Sequence, residues 1–257
     1  MTLRYGGIDG RVALVTGAGQ GMGRAIAERL AAEGAKVAAN DLNPDTAAAT
    51  AEVVGGLAVP FDVSEPDAIE AGVADVEARL GPVELLVANH AYMTMAPFEE
   101  ESPENWRRIL DVNLFGNGLL IERCAPGMAE RGFGRIVVIA SEWGVIGWPN
   151  ATAYAASKGG LISLVKSVAR AMGAKGVSVN AIAPGVTDTP QLDVDALDAG
   201  VSHEEIVRRY GEEIPLGRVG RPEEIAATVA FLCSTDAEAF VGQVLQPNGG
   251  STRVWGI

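Results

Sequence analysis

Tyr154 and Lys158 stand four residues apart in the stretch A-T-A-Y-A-A-S-K-G-G-L, residues 151–161. On a helix that spacing sets a phenol and an ammonium on one face, one turn apart. A nearby cation favours the phenolate, so the pair predicts a tyrosine pKa drawn down from its usual value of about 10. A tyrosine tuned towards neutral pH is a usable general acid or base. The bland alternative is a surface Tyr–Lys pair on an ordinary helix. Composition weighs against it. The 257 residues include only four tyrosines and four lysines, and random placement yields this spacing about 0.06 times per chain.

The elements that must position this pair follow a regular order. Residues 11–16 (R-V-A-L-V-T) form a short β-branched run that reads as a buried strand. A glycine turn follows, then helical periodicity over 24–33. Residues 36–41 supply a second strand. Helices are expected over 45–54, 64–80, 102–131, 151–174 and 222–234, with Ser64 capping the second of these. Strands are expected over 57–61, 84–88, 134–140, 177–182 and 243–246. Residues 191–213 read as a polar, helical excursion. Strands alternating with helices argue for one doubly wound α/β domain: a seven-stranded parallel sheet with helices on both faces. No break in composition divides the chain, so residues 1–257 are read as a single domain.

The turn after the first strand is Thr16-Gly17-Ala18-Gly19-Gln20-Gly21-Met22-Gly23. A glycine turn between strand and helix presents backbone N–H groups at a helix N-terminus, a site for a pyrophosphate. The alternative is a tight turn with no ligand. Asp41 ends the second strand, where a carboxylate can bond both ribose hydroxyls of an adenosine and repel a 2′-phosphate. No arginine follows it, and Gln20 rather than a cation precedes Gly21. NAD is therefore expected over NADP. Asp62 can accept from an adenine amino group or cap a turn. Asn89, after the fourth strand, suits a place where backbone and amide approach the ribose.

Composition bounds the rest. The chain is 48% hydrophobic and 21% charged, enough for a proper core. A net charge of -13 argues against a nucleic-acid or anionic-membrane partner. Cys124 and Cys233 have no metal-ligand spacing and read as core residues. No metal site is expected. The N-terminus carries no apolar signal core and no run is long enough to span a bilayer, so a cytoplasmic protein is expected.

Taken together, Thr16-Gly-x-x-x-Gly-x-Gly23, Asp62-Val63, Asn113, Ser141, Tyr154-x-x-x-Lys158, Pro184-Gly185 and Gly249-Gly250 resemble the short-chain dehydrogenase/reductase family over essentially the full length. The resemblance implies a Rossmann-type fold and a catalytic set of Asn113, Ser141, Tyr154 and Lys158. It implies cofactor contacts from Gly17, Gln20, Gly21, Met22, Gly23, Asp41, Leu42, Asp62, Val63, Asn89, Tyr154, Lys158, Pro184, Gly185, Thr187 and Thr189. In this scheme Tyr154 moves the proton while hydride passes between a carbinol carbon and NAD. Ser141 orients the substrate oxygen. Lys158 lowers the phenol pKa, and Asn113 holds a water of the proton relay. By itself Ser141 reads as a strand-end turn former, Asn113 as a buried amide, and Thr189 as a helix cap before Pro190.

The family's usual Asn-Asn-Ala-Gly is Ala88-Asn89-His90-Ala91 here. His90 reads as a polar pocket contact or a satisfied structural histidine, and not as a base. Candidate substrate-pocket residues are Tyr92, Glu142, Trp143, Trp148, Asn150 and Gln191, with Met93, Met95, Ile146 and Leu192 beside them. Residues of about 190–214 form the substrate loop. The expected activity is interconversion of a small-molecule secondary alcohol and its ketone. The rivals are a 3-oxoacyl-thioester reductase using NADPH, a nucleotide-sugar epimerase or dehydratase, and a non-catalytic NAD-binding regulator. A regulator has no need of an intact Ser141, Tyr154 and Lys158. The resemblance also implies a homo-oligomer, a tetramer, with Trp255 in the tail suited to a contact.

Overall fold

The computed structural model describes residues 5–252. Trp255 lies outside them. Seven parallel strands form one sheet: β1 (Val12–Thr16), β2 (Lys36–Ala39), β3 (Leu57–Ala58), β4 (Leu85–Ala88), β5 (Gly134–Ile139), β6 (Val177–Ile182) and β7 (Val244–Leu245). Their spatial order is β3-β2-β1-β4-β5-β6-β7. The chain therefore reverses its direction of winding between β1 and β4. In such sheets ligands bind at the carboxyl ends beside this switch point.

The strands are continuous apolar runs because both faces are covered. Leu14, Leu86, Ile136 and Val138 point into one core. Ala13, Val15, Leu85, Val87 and Val137 alternate with them into the other. The first core packs against α3 (Pro66–Leu80), α5 (Gly116–Glu130) and α7 (Thr152–Met172). The second is closed by α1 (Gly21–Ala32), α2 (Pro44–Val54) and α10 (Pro222–Cys233). Cys124 and Cys233 are buried in these cores, and burial pushes both thiols up to about 12.

Several expected elements are altered by local chemistry. The third strand is two residues rather than five, because the Asn40 side chain donates to Val59 O and Phe61 O at 3.0 and 3.1 Å and draws that segment off the ladder. Ser64 does not cap α3. Its N–H and hydroxyl both turn back to Asp62 Oδ1, and Glu65 takes the cap position ahead of Pro66. The single helix expected over 102–131 is α4 (Pro103–Leu110) and α5 joined by a π-turn, Asp111–Phe115. Ser102 caps α4, accepting from Asn105 N at 3.1 Å. The excursion over 191–213 is two helices, α8 (Gln191–Asp198) and α9 (His203–Glu213), broken at Gly200 with φ of 65° and restarted by the Ser202 cap. A short helix, α6 (Trp143–Ile146), was not legible in the sequence. Among the described residues no helix is long and apolar enough to cross a membrane.

Candidate active site

The glycine turn at the end of β1 is built for close approach. Gly17 and Gly21 hold φ of 60° and 53°, the left-handed region that favours glycine. A Cβ on Gly23 would meet Gly17 O at 1.9 Å, so only glycine lets α1 start this near the strand. Gln20 caps α1 without a side-chain bond, and no acidic residue occupies the first turn. The helix therefore offers its N–H groups and its positive end to an anion.

Beside the turn lies a cleft of about 510 Å³. Gly17, Asp41, Leu42, Asp62, Val63 and His90 line it, along with Tyr92, Arg107 and Arg108 on the α4 side. Asp41 accepts from Gly19 N at 2.9 Å and from Asn43 N at 3.0 Å, which fixes its carboxylate at the cleft edge. Asp62 is at once a turn former and a cleft residue. Asn89 donates to Thr16 O and Gly17 O at 3.2 and 3.0 Å, while its Oδ1 is buried without a partner. An orphaned buried acceptor beside a glycine cradle fits a bound group that brings a donor. The residues present suit a dinucleotide.

His90 lines the first cleft and is also tied into the protein framework. Its Nδ1 lies 2.7 Å from Thr16 Oγ1, and its Nε2 lies 3.1 Å from both Val112 O and Asn117 Nδ2. It thus ties the end of β1 to the π-turn. Burial, then the Lys158 charge, pulls its pKa from 6.5 down to about 3. A base whose folded pKa is depressed binds fewer protons than the unfolded chain between those values, so its contribution to stability falls as pH drops through that window. Lowering pH from about 7 to about 5 is expected to remove ~2 kcal/mol of stability through this one group. His90→Gln removes that increment, so urea unfolding of the variant is expected to show a correspondingly smaller loss over the same pH step. An equal loss in both proteins would mean that His90 is not held neutral.

Tyr154 and Lys158 lie in the first turns of α7. Lys158 is 1% exposed. Its Nζ donates to Ile139 O at 2.7 Å and sits 5.5 Å from the centroid of the Tyr154 ring. The short helix α6 rests directly on this turn: a Cβ on Gly144 would come within 2.7 Å of the Lys158 carbonyl carbon. Ser141, between β5 and α6, accepts from Trp143 N at 3.1 Å.

The electrostatics correct the expectation drawn from spacing alone. Burial pushes the Tyr154 phenol up to about 12, with the neighbouring Ser141 hydroxyl pulling the other way. Burial also draws the Lys158 ammonium down to about 7. Desolvation, which the sequence does not reveal, penalises the charged form of both groups. In the free protein burial thus favours the neutral phenol, the state that donates a proton to a ketone.

Asn113 sits in the π-turn and its side chain is held by protein groups. Oδ1 accepts from Tyr92 N at 2.7 Å, and Nδ2 donates to Tyr92 O and Ser157 Oγ at 2.9 and 3.1 Å. It braces the segment after β4 against α7, one residue from Lys158. A π-turn sets one extra residue into the helix, and such turns recur at functional sites.

A second cavity, of about 240 Å³, opens over Ser141 and Tyr154. Of the candidate pocket residues, Glu142, Trp143, Gln191, Met93 and Leu192 line it, and so do Met22, Pro184, Gly185, Thr187 and Thr189 from the cofactor set. Thr189 packs on the glycine turn: a Cβ on Gly21 would lie 3.3 Å from it. It is not the side-chain cap of α8, whose N-cap is Pro190. Five candidate pocket residues do not line it: Met95 and Ile146 are exposed, and three more lie elsewhere. Tyr92 faces the first cleft under Arg108, 4.2 Å over its ring. Trp148 stacks behind Trp143 at 5.2 Å, and Asn150 is exposed with φ of 61°. Asp195 and Tyr210, unread in the sequence, line the cavity from α8 and α9. The four-residue step from Gln191 to Asp195 was the available signal for the first; Tyr210 arrives only through the turn at Gly200. Glu142 is buried, which raises its carboxyl pKa, while Ser251 and Asn248 donate to it and favour the anion.

Comparison with known proteins agrees with this geometry. A family model described as enoyl-(acyl carrier protein) reductase matches residues 17–252. The acetoacetyl-CoA reductase of Rhizobium meliloti (strain 1021) is 42% identical over 93% of this chain and 98% of the relative. The 2-dehydro-3-deoxy-L-rhamnonate dehydrogenase (NAD(+)) of Sphingomonas sp. (strain SKA58) is 38% identical over 98% of this chain and 99% of the relative. The crystal structure of levodione reductase superposes with a TM-score of 0.90 at 33% identity, covering 96% of this chain and 99% of the other. The chain belongs to the short-chain dehydrogenase/reductase family of oxidoreductases, whose members use a nicotinamide dinucleotide.

Proposed function

We propose that this protein interconverts a secondary alcohol and its ketone with NAD(H). The observation that carries the reading is the convergence of Ser141 and Tyr154 on one cavity that Pro184, Gly185, Val186, Thr187 and Thr189 also line, with Lys158 buried beside the phenol. The glycine turn, Asp41, Leu42, Asp62, Val63 and Asn89 would hold the dinucleotide, with Gln20, Gly21, Met22 and Gly23 at its phosphates and Pro184, Gly185, Thr187 and Thr189 at its nicotinamide end. When bound, it supplies the hydride chemistry. Tyr154 gives its phenolic proton to the carbonyl oxygen in reduction and takes it back from the alcohol in oxidation. Ser141 donates to the same oxygen and steadies its developing charge. Lys158 supplies positive potential beneath the phenol, and Asn113 keeps α7 in register with the segment after β4.

NAD is preferred in this reading because the Asp41 carboxylate stands at the cleft edge, where a 2′-phosphate would meet a like charge. A relative named for NAD(+) supports the same choice. A second reading, reduction of a 3-oxoacyl thioester with NADPH, is favoured by the acetoacetyl-CoA reductase at 42% identity. One assay separates the two. Purified protein is mixed with NAD⁺ and a panel of secondary alcohols, and again with NADPH and acetoacetyl-CoA. Appearance of the NADH absorbance band with NAD⁺, well above any NADP⁺ rate, is expected. Thioester reduction with NADPH as the dominant activity would replace the first reading by the second. The protein is further proposed to be a homo-oligomer, a tetramer; Phe115, 52% exposed on the π-turn, is an apolar group that such an assembly would cover.

A further inference from the structure

The cavity over Tyr154 carries a chemical signature of its own. The charged groups that line it are Glu142 and Asp195, both acidic; among the described residues no lysine or arginine is on its wall. The nearest buried cation, Lys158, has its Nζ turned to Ile139 O. Asp195 is held from two sides, by Tyr210 OH at 3.2 Å and Gln191 Nε2 at 3.1 Å. Glu142 is held by Ser251 at the back of the pocket.

We infer that the substrate is an uncharged polyhydroxylated alcohol or ketone, a small polyol or its keto form, rather than a carboxylic acid. The inference rests on the proposed alcohol–ketone chemistry and extends it to the substrate. Ionised carboxylates only accept hydrogen bonds. A ligand that satisfies them must bring donors, and hydroxyl groups are the donors a polyol carries at every carbon. An anionic substrate would enter a partly desolvated cavity facing the Asp195 carboxylate and the acidic Glu142, with no lysine or arginine among the described residues on its wall. The Trp143 indole, set by its stack on Trp148 and its edge-on contact with Tyr154, gives a flat apolar wall for the C–H face of such a chain. The cavity of about 240 Å³ would be shared with the nicotinamide end of the dinucleotide, which leaves room for a small substrate only.

The test compares matched pairs that differ in charge. Oxidation of xylitol and sorbitol is measured with NAD⁺ beside xylonate and gluconate, with cyclohexanol as an uncharged mono-alcohol. The polyols are expected to exceed their matching acids in kcat/KM by at least about 30-fold, the scale of one like-charge contact at partly buried distances. Asp195→Asn is expected to narrow that ratio at least about fivefold by admitting the acids. Acids used as well as polyols would overturn the inference. So would turnover of cyclohexanol alone, which leaves the alcohol–ketone reading standing. Failure of all five substrates with both NAD⁺ and NADP⁺ would overturn that reading and this inference with it.

Discussion

Replacing Tyr154 with phenylalanine is expected to lower kcat by about 10³-fold, within the range general acid–base catalysis contributes, while cofactor affinity changes less than about threefold. The substitution deletes one oxygen and keeps the ring. The ring's edge-on contact with Trp143, 6.0 Å between centroids at 83°, is therefore retained, and the fold is expected to be undisturbed. What disappears is the proton at the reacting oxygen. With its pKa pushed up to about 12 by burial, the phenol of the free protein is fully protonated at neutral pH and stands ready to donate to a ketone. Ser141 can still orient the substrate in the variant, so KM for the ketone is expected to change less than kcat. A loss that fell on KM alone would mark Tyr154 as a binding group.

The second large effect is expected at Asp41. Asp41→Asn should raise the KM for NAD⁺ by about 30-fold, the value of a charge-assisted hydrogen bond pair to a ribose diol, and leave the KM for NADP⁺ within about threefold. Asparagine is the informative replacement because Asp41 also accepts from Gly19 N and Asn43 N. One carbonyl oxygen keeps part of that support, whereas alanine would release the loop as well. Equal losses for both cofactors would show that Asp41 shapes the glycine turn without reading the ribose.

The parts of this molecule legible in the sequence are those written in local pattern. A β-branched run, a glycine turn and a helix announce the nucleotide end because each needs its own residue types at fixed spacing. The Tyr154–Lys158 step was readable because four residues span one turn. The features that stayed hidden depend on what packs against what. The π-turn at Asp111–Phe115 follows from tertiary contacts such as His90 to Val112 O and Asn113 to Tyr92, and no propensity signals it. The shortening of β3 follows from one side chain, Asn40, reaching two carbonyls on its neighbour. The direction of the Tyr154 shift was misread from spacing, since a partner cation is visible in a sequence and burial is not. Asp195 and Tyr210 come from different helices and meet only when α8 and α9 fold together. For the same reason Trp148, close to Ser141 in sequence, is displaced from the cavity by Trp143 in front of it.

The central claim, that Tyr154 supplies the proton of a hydride-transfer step, is tested most directly by following label. Wild type and Tyr154→Phe are incubated with NADH deuterated at the transferring C4 position and the ketone of whichever alcohol the wild type oxidises fastest. Deuterium at the carbinol carbon is then read by mass spectrometry, with cofactor affinity measured in parallel. The account predicts one deuterium per product molecule from the wild type, and product formed about 10³-fold more slowly by a variant that still binds NADH. Labelled alcohol formed at the wild-type rate by Tyr154→Phe would contradict it.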